Sequence, residues 1–106
     1  MSNPVSSGVF EGHALVARNF DEARALRKGE VLVTKYVDPG WTPLFGRAGA
    51  VVLEVGGVLS HGAVVAREMG LPMVAGVYNA VKAFHTGQRL RVDGRQGRVD
   101  LINSPS

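Results

Sequence analysis

The sequence predicts an α/β domain in which one sheet mixes parallel and antiparallel strands. Two observations carry that expectation. Strand-like and helix-like segments alternate along the first three quarters of the chain, as parallel sheets with crossover helices require. The last quarter instead holds two strand-like segments, Gln88–Asp93 and Gly97–Ile102, close enough for an antiparallel hairpin.

The elements follow in order. After a polar lead carrying Ser6, Ser7 and Gly8, residues Gly12–Arg18 read as a short first strand. Asp21–Lys28 begins with acids and ends with bases, the charge order that complements a helix dipole, and Gly29 supplies a stop. Glu30–Val37 is β-branched and aromatic and ends at Asp38-Pro39-Gly40, a turn signal, so it reads as a strand. Trp41–Gly46 is a loop or a single helical turn, because Pro43 suits only an early helical position. Ala50–Val55 is a nearly continuous apolar run, the pattern of a central strand buried on both faces.

Gly56-Gly57-Val58-Leu59 then turns the chain. Ser60 stands at an N-cap position ahead of a helix from His61 to Met69, with Gly70 as its stop. On a helical wheel Val65 and Met69 share a side with the small residues Gly62 and Ala66, which would let the helix lie close to a sheet. Leu71–Val77 reads as a strand with Pro72 near its start, and Asn79–Phe84 as a further helical turn. Asn103–Ser106 reads as a tail.

Composition narrows the function classes. The 106 residues favour a single domain over 1–106, and 45% hydrophobic with 20% charged residues is ordinary for a globular core. A formal charge of +3, without a long run of like charges, does not compel nucleic-acid binding. The absence of cysteine excludes disulfides and thiolate metal sites and fits a cytoplasmic setting. The N-terminus lacks a signal-peptide pattern, and no window approaches the roughly 18 apolar residues of a membrane span. His13 and His85 have no spacing that pairs them with His61 as metal ligands, so no metal is expected, and Trp41 reads as a packing anchor.

The chemistry concentrates at His61. A helix start presents free backbone N–H groups and the positive end of the dipole, which favour a phosphate. An imidazole with an ordinary pKa of about 6.5 keeps a neutral fraction near pH 7, whose ring nitrogen can attack phosphorus. Gly56, Gly57 and Gly62 leave room for an approaching donor, so Gly56, Gly57, Ser60 and Gly62 form the expected phosphate-approach loop. A histidine at a helix start also serves as a structural or solvated residue, and the residues alone leave both roles open.

The run from Gly56 to Val77, GGVLSHGAVVAREMGLPMVAGV, closely resembles the signature of the mobile domain of phosphoenolpyruvate-utilising enzymes. That family includes phosphoenolpyruvate synthase, pyruvate phosphate dikinase, enzyme I of the sugar phosphotransferase system and rifampin phosphotransferase. The resemblance extends to Asn3–Val9 with Gly12, to Glu30–Val33, to Asp38–Pro43, and to Val92-Asp93-Gly94 with Gly97-Arg98-Val99. It implies a three-layer β/β/α swivelling phosphohistidine domain, with His61 the phosphorylated nucleophile and Thr42 orienting its ring. Thr42 otherwise reads as a turn hydroxyl bonded to its own backbone, and Arg67 either meets the donor phosphate or is solvated. Leu59 departs from the threonine that plant dikinases carry two residues before the histidine, so that regulatory phosphorylation is not expected here.

The resemblance further implies a phosphoryl carrier that binds no cofactor of its own. Mg²⁺ and ATP or phosphoenolpyruvate are expected on partner domains, an ATP-grasp nucleotide-binding domain and a phosphoenolpyruvate- or substrate-binding domain. These lie in a separate chain or in the rest of a longer one, since no glycine-rich P-loop with lysine is present here. No nucleic-acid or membrane partner is expected. The alternative is a non-catalytic interaction module of the same fold that docks a partner or an anionic ligand.

Overall fold

The computed structural model describes residues 3–6, 8–55 and 61–102. Among these, seven strands form a sheet in the order β1-β5-β4-β3-β2-β6-β7: β1 Asn3–Ser6, β2 Val9–Ala17, β3 Glu30–Thr34, β4 Ala48–Leu53, β5 Met73–Ala75, β6 Arg89–Asp93 and β7 Arg98–Ile102. The helices are α1 Phe20–Ala23, α2 Thr42–Phe45, α3 His61–Met69 and α4 Ala80–Ala83, with a 3-10 turn at Pro39–Trp41 leading into α2.

Strands β2, β3, β4 and β5 run parallel, while β1 pairs antiparallel with β5 and the β6–β7 hairpin adds antiparallel to β2. The mixed sheet expected from the sequence is therefore present. Strand β2 serves both parts. Its first half, Val9–His13, pairs with β6, and its second half, Ala14–Ala17, pairs with β3. Its free side at Ala14 is closed by the loop before β6, through Ala14 N–H to the Gln88 carbonyl (2.7 Å) and Gly87 N–H to the Ala14 carbonyl (2.8 Å).

Side-chain alternation along the parallel strands divides the interior in two. Leu32, Val51, Leu53, Met73 and Ala75 face one way and pack with Trp41, Leu44, Phe45, Ala63, Ala66 and Leu71. Val31, Val33, Ala50, Val52 and Val74 face the other way, against Ala80, Leu90 and Val92. The parallel strands thus lie between a helical layer and the β6–β7 ribbon, which is the β/β/α layering. Both faces are covered, and this is why β3 and β4 read as unbroken apolar runs.

The differences from the sequence reading are local and have physical causes. The polar lead contains a strand, β1, whose pairing to β5 is a contact between residues about seventy positions apart (Asn3 with Ala75). The first strand begins at Val9, not Gly12, because β6 supplies its partner. The helix expected over Asp21–Lys28 stops at Ala23. Asn19 Oδ1 accepts from Glu22 N–H at 2.9 Å and starts it, but Glu30 Oε1 takes the Arg27 N–H at 2.6 Å and turns the chain into β3.

The strand expected to reach Val37 ends at Thr34, since Val37 turns to pack beneath α3. The next strand runs over Ala48–Leu53, two residues earlier than the apolar run suggests. Leu71–Val77 contributes only Met73–Ala75, bounded by Gly76 in a left-handed conformation (φ 75°). The hairpin is as expected, its turn held by Asp93 Oδ1 accepting from Arg95 and Gln96 N–H, each at 3.0 Å.

Helix α3 buries Gly62, Ala63 and Ala66, with Val65 partly covered, whereas Met69 is 49% exposed. The expected position of Met69 on the packed side is thereby corrected. Gly70 (φ 67°) closes the helix, with Gly70 N–H bonded to the Arg67 carbonyl (3.2 Å) and Leu71 N–H to the Ala66 carbonyl (2.8 Å). This Schellman ending folds Leu71 back into the core that Met69 would otherwise meet.

Candidate functional site

The site is built at the carboxyl edge of the parallel strands, where open α/β sheets hold their ligands. Strand β4 leads through residues 54–60 to α3, and α3 returns to β5, the parallel neighbour of β4. His61 is the first residue of α3 and so stands at its positive end.

The first turn of α3 is held against two segments from the crossover between β3 and β4. A Cβ placed on Gly62 would lie 2.7 Å from Val37 Cγ2 and 3.7 Å from Phe45 Cζ. Val37 belongs to the loop after β3, and Phe45 closes α2. Thr42 opens α2 and is half-buried, so the two helices carrying Thr42 and His61 meet through Phe45 and Gly62. Asp38 fixes the entry to this crossover by accepting from Gly40 N–H at 2.9 Å.

The loop residues Gly56, Gly57 and Ser60 lie outside the described residues, so the structure places only Gly62 of the expected phosphate-approach loop. Gly62 is buried, and its lack of a side chain lets Val37 approach the first turn of α3 closely. Arg67 is exposed and lies six residues along α3 from His61, about 9 Å further down the axis. Val37 was missed by sequence reasoning. The β-branched residue before Asp38-Pro39 looked like a strand end, and only the proximity of α3 reveals what it supports.

Trp41 is 7% exposed and meets the Phe20 ring edge-on, with centroids 5.8 Å apart, as expected of a packing anchor. His13 is exposed on β2, while His85 lines a separate cleft with Leu15, Val16 and Thr86. Among the described residues no group of three or more His, Cys, Asp or Glu side chains is arranged to hold a metal. Among the same residues no helix is long and apolar enough to cross a membrane.

Residues 26–97 match the family model described as PEP-utilising enzyme, mobile domain. The chain belongs to that family. The match takes in the crossovers from β3 to β4 and, through α3, from β4 to β5, together with the first strand of the final hairpin. A rifampicin phosphotransferase of Bacillus cereus is 54% identical over 99 residues, covering 93% of this chain and 11% of that protein. A phosphoenolpyruvate synthase of Aeropyrum pernix is 44% identical over 97 residues, covering 91% of this chain and 12% of that protein.

Among solved structures, the solution structure titled as Enzyme I (nEIt) superposes with a TM-score of 0.66 at 26% identity, covering 77% of this chain and 34% of that one. The mobile-domain fold inferred from the signature is therefore the fold of this protein. The chain spans only about a ninth of the first relatives, 11% of each rifampicin phosphotransferase from Bacillus, so those relatives carry other domains around this one. Membership of this family supports a phosphoryl-carrier role in general terms.

Proposed function

We propose that His61 is the residue on which this mobile domain carries a phosphoryl group. The observation that carries the proposal is the position of His61 as the first residue of α3, at the carboxyl edge of the parallel strands, inside the segment that matches the family. At that position the helix dipole offsets the negative charge that phosphorylation adds.

The reaction is a pair of in-line displacements. A ring nitrogen of His61 attacks the donor phosphorus and forms an N–P bond as the donor oxygen leaves with its electron pair. An acceptor oxygen then attacks the same phosphorus, and the ring recovers its lone pair. Phosphoryl transfer depends mainly on positioning and charge stabilisation. The protein's contribution in this reading is the nucleophile and its orientation, with Thr42 as the positioning residue and Gly56, Gly57, Ser60 and Gly62 shaping the approach. Mg²⁺ together with ATP or phosphoenolpyruvate, held by an ATP-grasp or substrate-binding partner domain, would supply the donor and neutralise its charge.

The test is intact-mass analysis after incubation with ATP or phosphoenolpyruvate and a cognate partner domain. The expected result is one acid-labile phosphoryl adduct on the wild type and none on His61→Ala. An adduct that persists in His61→Ala, or none on the wild type beside an active partner, removes the carrier assignment from this residue.

A further inference from the structure

A second feature occupies the same carboxyl edge but the other face of the sheet. Arg18, Lys35 and Glu54 directly follow the last residues of β2, β3 and β4. The ladders pair Ala17 with Thr34 and Thr34 with Leu53, so these three residues stand side by side on neighbouring strands, about 5 Å apart from one to the next. Alternation puts them on the side of Val16, Val33 and Val52, the face covered by α4, whereas α3 covers the opposite face. Together with Asn79, Val81 and Lys82 they line a cleft of about 350 Å³.

The charges in this cleft are not balanced from within. Among the described residues Arg18, Lys35 and Lys82 make no ion pair, although the Glu22 carboxylate accepts from the Arg18 backbone N–H at 2.8 Å. Glu54 is the one acid in the lining, and its Oε1 accepts from Val81 N–H at 3.3 Å. Arg18 beside Lys35 on adjacent strands is a like-charge pair with a modest repulsion, offset in part by Glu54 on the other side of Lys35, and a bound anion would relieve the rest.

Asn79 adds a second sign. It is the one non-glycine residue with positive φ among the described residues (58°), and its side chain does not cap the helix it precedes. Asparagine tolerates this conformation better than other residues with a Cβ, and it leaves the Asn79 carboxamide in the lining of the cleft.

We infer that this cleft is a binding site for an oligophosphate anion, a di- or triphosphate, held by Arg18, Lys35 and Lys82 with the Asn79 carboxamide as a further donor. An arginine fork and two ammonium groups suit phosphate oxygens, and the cleft has the size of a small-ligand pocket. The site lies across the sheet from α3 and does not depend on the role assigned to His61.

The experiment is a titration of the ¹⁵N-labelled 106-residue chain with inorganic triphosphate, followed by amide chemical shifts. Saturable shifts are expected at residues 17–19, 34–36 and 79–82, weakening as salt is raised. The Arg18→Gln/Lys35→Gln variant, and separately Lys82→Gln, should keep the dispersed spectrum and lose at least about tenfold in affinity. His61→Ala should bind like the wild type, which separates this site from the carrier reading. Absence of saturable shifts at millimolar triphosphate would overturn the inference. So would a hexaglutamate peptide that moves the same amides as strongly, because the cleft would then be a docking surface for acidic protein segments.

Discussion

Val37 and Gly62 are in such close approach that the position of a Cβ on Gly62 falls 2.7 Å from Val37 Cγ2. The loop leaving β3 is thereby packed directly under the turn of α3 that begins with His61. Closeness here depends on a missing side chain, and the first prediction follows from it. Gly62→Val should cost about 1–3 kcal/mol by overpacking, measured by urea denaturation. Adding Val37→Ala should recover part of that loss. If the two changes simply add, the contact is not the cause.

The Phe10 ring occupies the space beside Gly49, where a Cβ would lie 2.2 Å from Phe10 Cε2 and Cζ. Gly49→Ala should therefore lower stability by about 1–3 kcal/mol even though alanine is a conservative change. Combining it with Phe10→Ala should lose less than the sum of the single changes. Thermal melts of the four proteins decide this.

Leu90 is fully buried on β6 within the core between ribbon and parallel strands. Leu90→Ala should cost about 2–5 kcal/mol, as buried leucine truncations do. A cost below about 1 kcal/mol would mean that the ribbon is not packed as a true layer.

Asn79 adopts a left-handed conformation that a residue with Cβ enters at a cost. Asn79→Ala should destabilise by about 1 kcal/mol, while Asn79→Gly should stay within about 1 kcal/mol of the wild type. Equal effects of the two variants in urea melts would show that backbone conformation is not what selects this residue.

Thr42 gives a kinetic prediction that rests on the proposed role of His61. Thr42→Val should slow phosphorylation of His61 by about ten- to a hundredfold, with Thr42→Ser retaining most of the rate and both variants remaining folded. Rapid-quench measurement of adduct formation with a partner domain separates positioning from folding. A Thr42→Val protein as fast as the wild type would assign the hydroxyl to its own helix.

The sequence by itself determined what local patterns can encode. The unbroken apolar character of Val31–Val33 and Ala50–Leu53 marks strands covered on both faces, and Asp93-Gly94 with Gly97 marks the final hairpin. His61 at the head of a helix ending at Gly70 is legible in the same way, from residue types at adjacent positions. The family signature around His61 was legible too, since it lies in one continuous run.

Only the tertiary structure decided which distant segments meet. It made a strand of Asn3–Ser6 by pairing it with β5, shared β2 between two partners, and replaced Met69 by Leu71 in the core. It also gathered Arg18, Lys35 and Glu54 from three strand ends, and Asn79 and Lys82 from the start of a helix, into one cleft. Periodicity reports the face an element buries, but pairing energy is realised between residues far apart in the chain, and no local pattern records the partner.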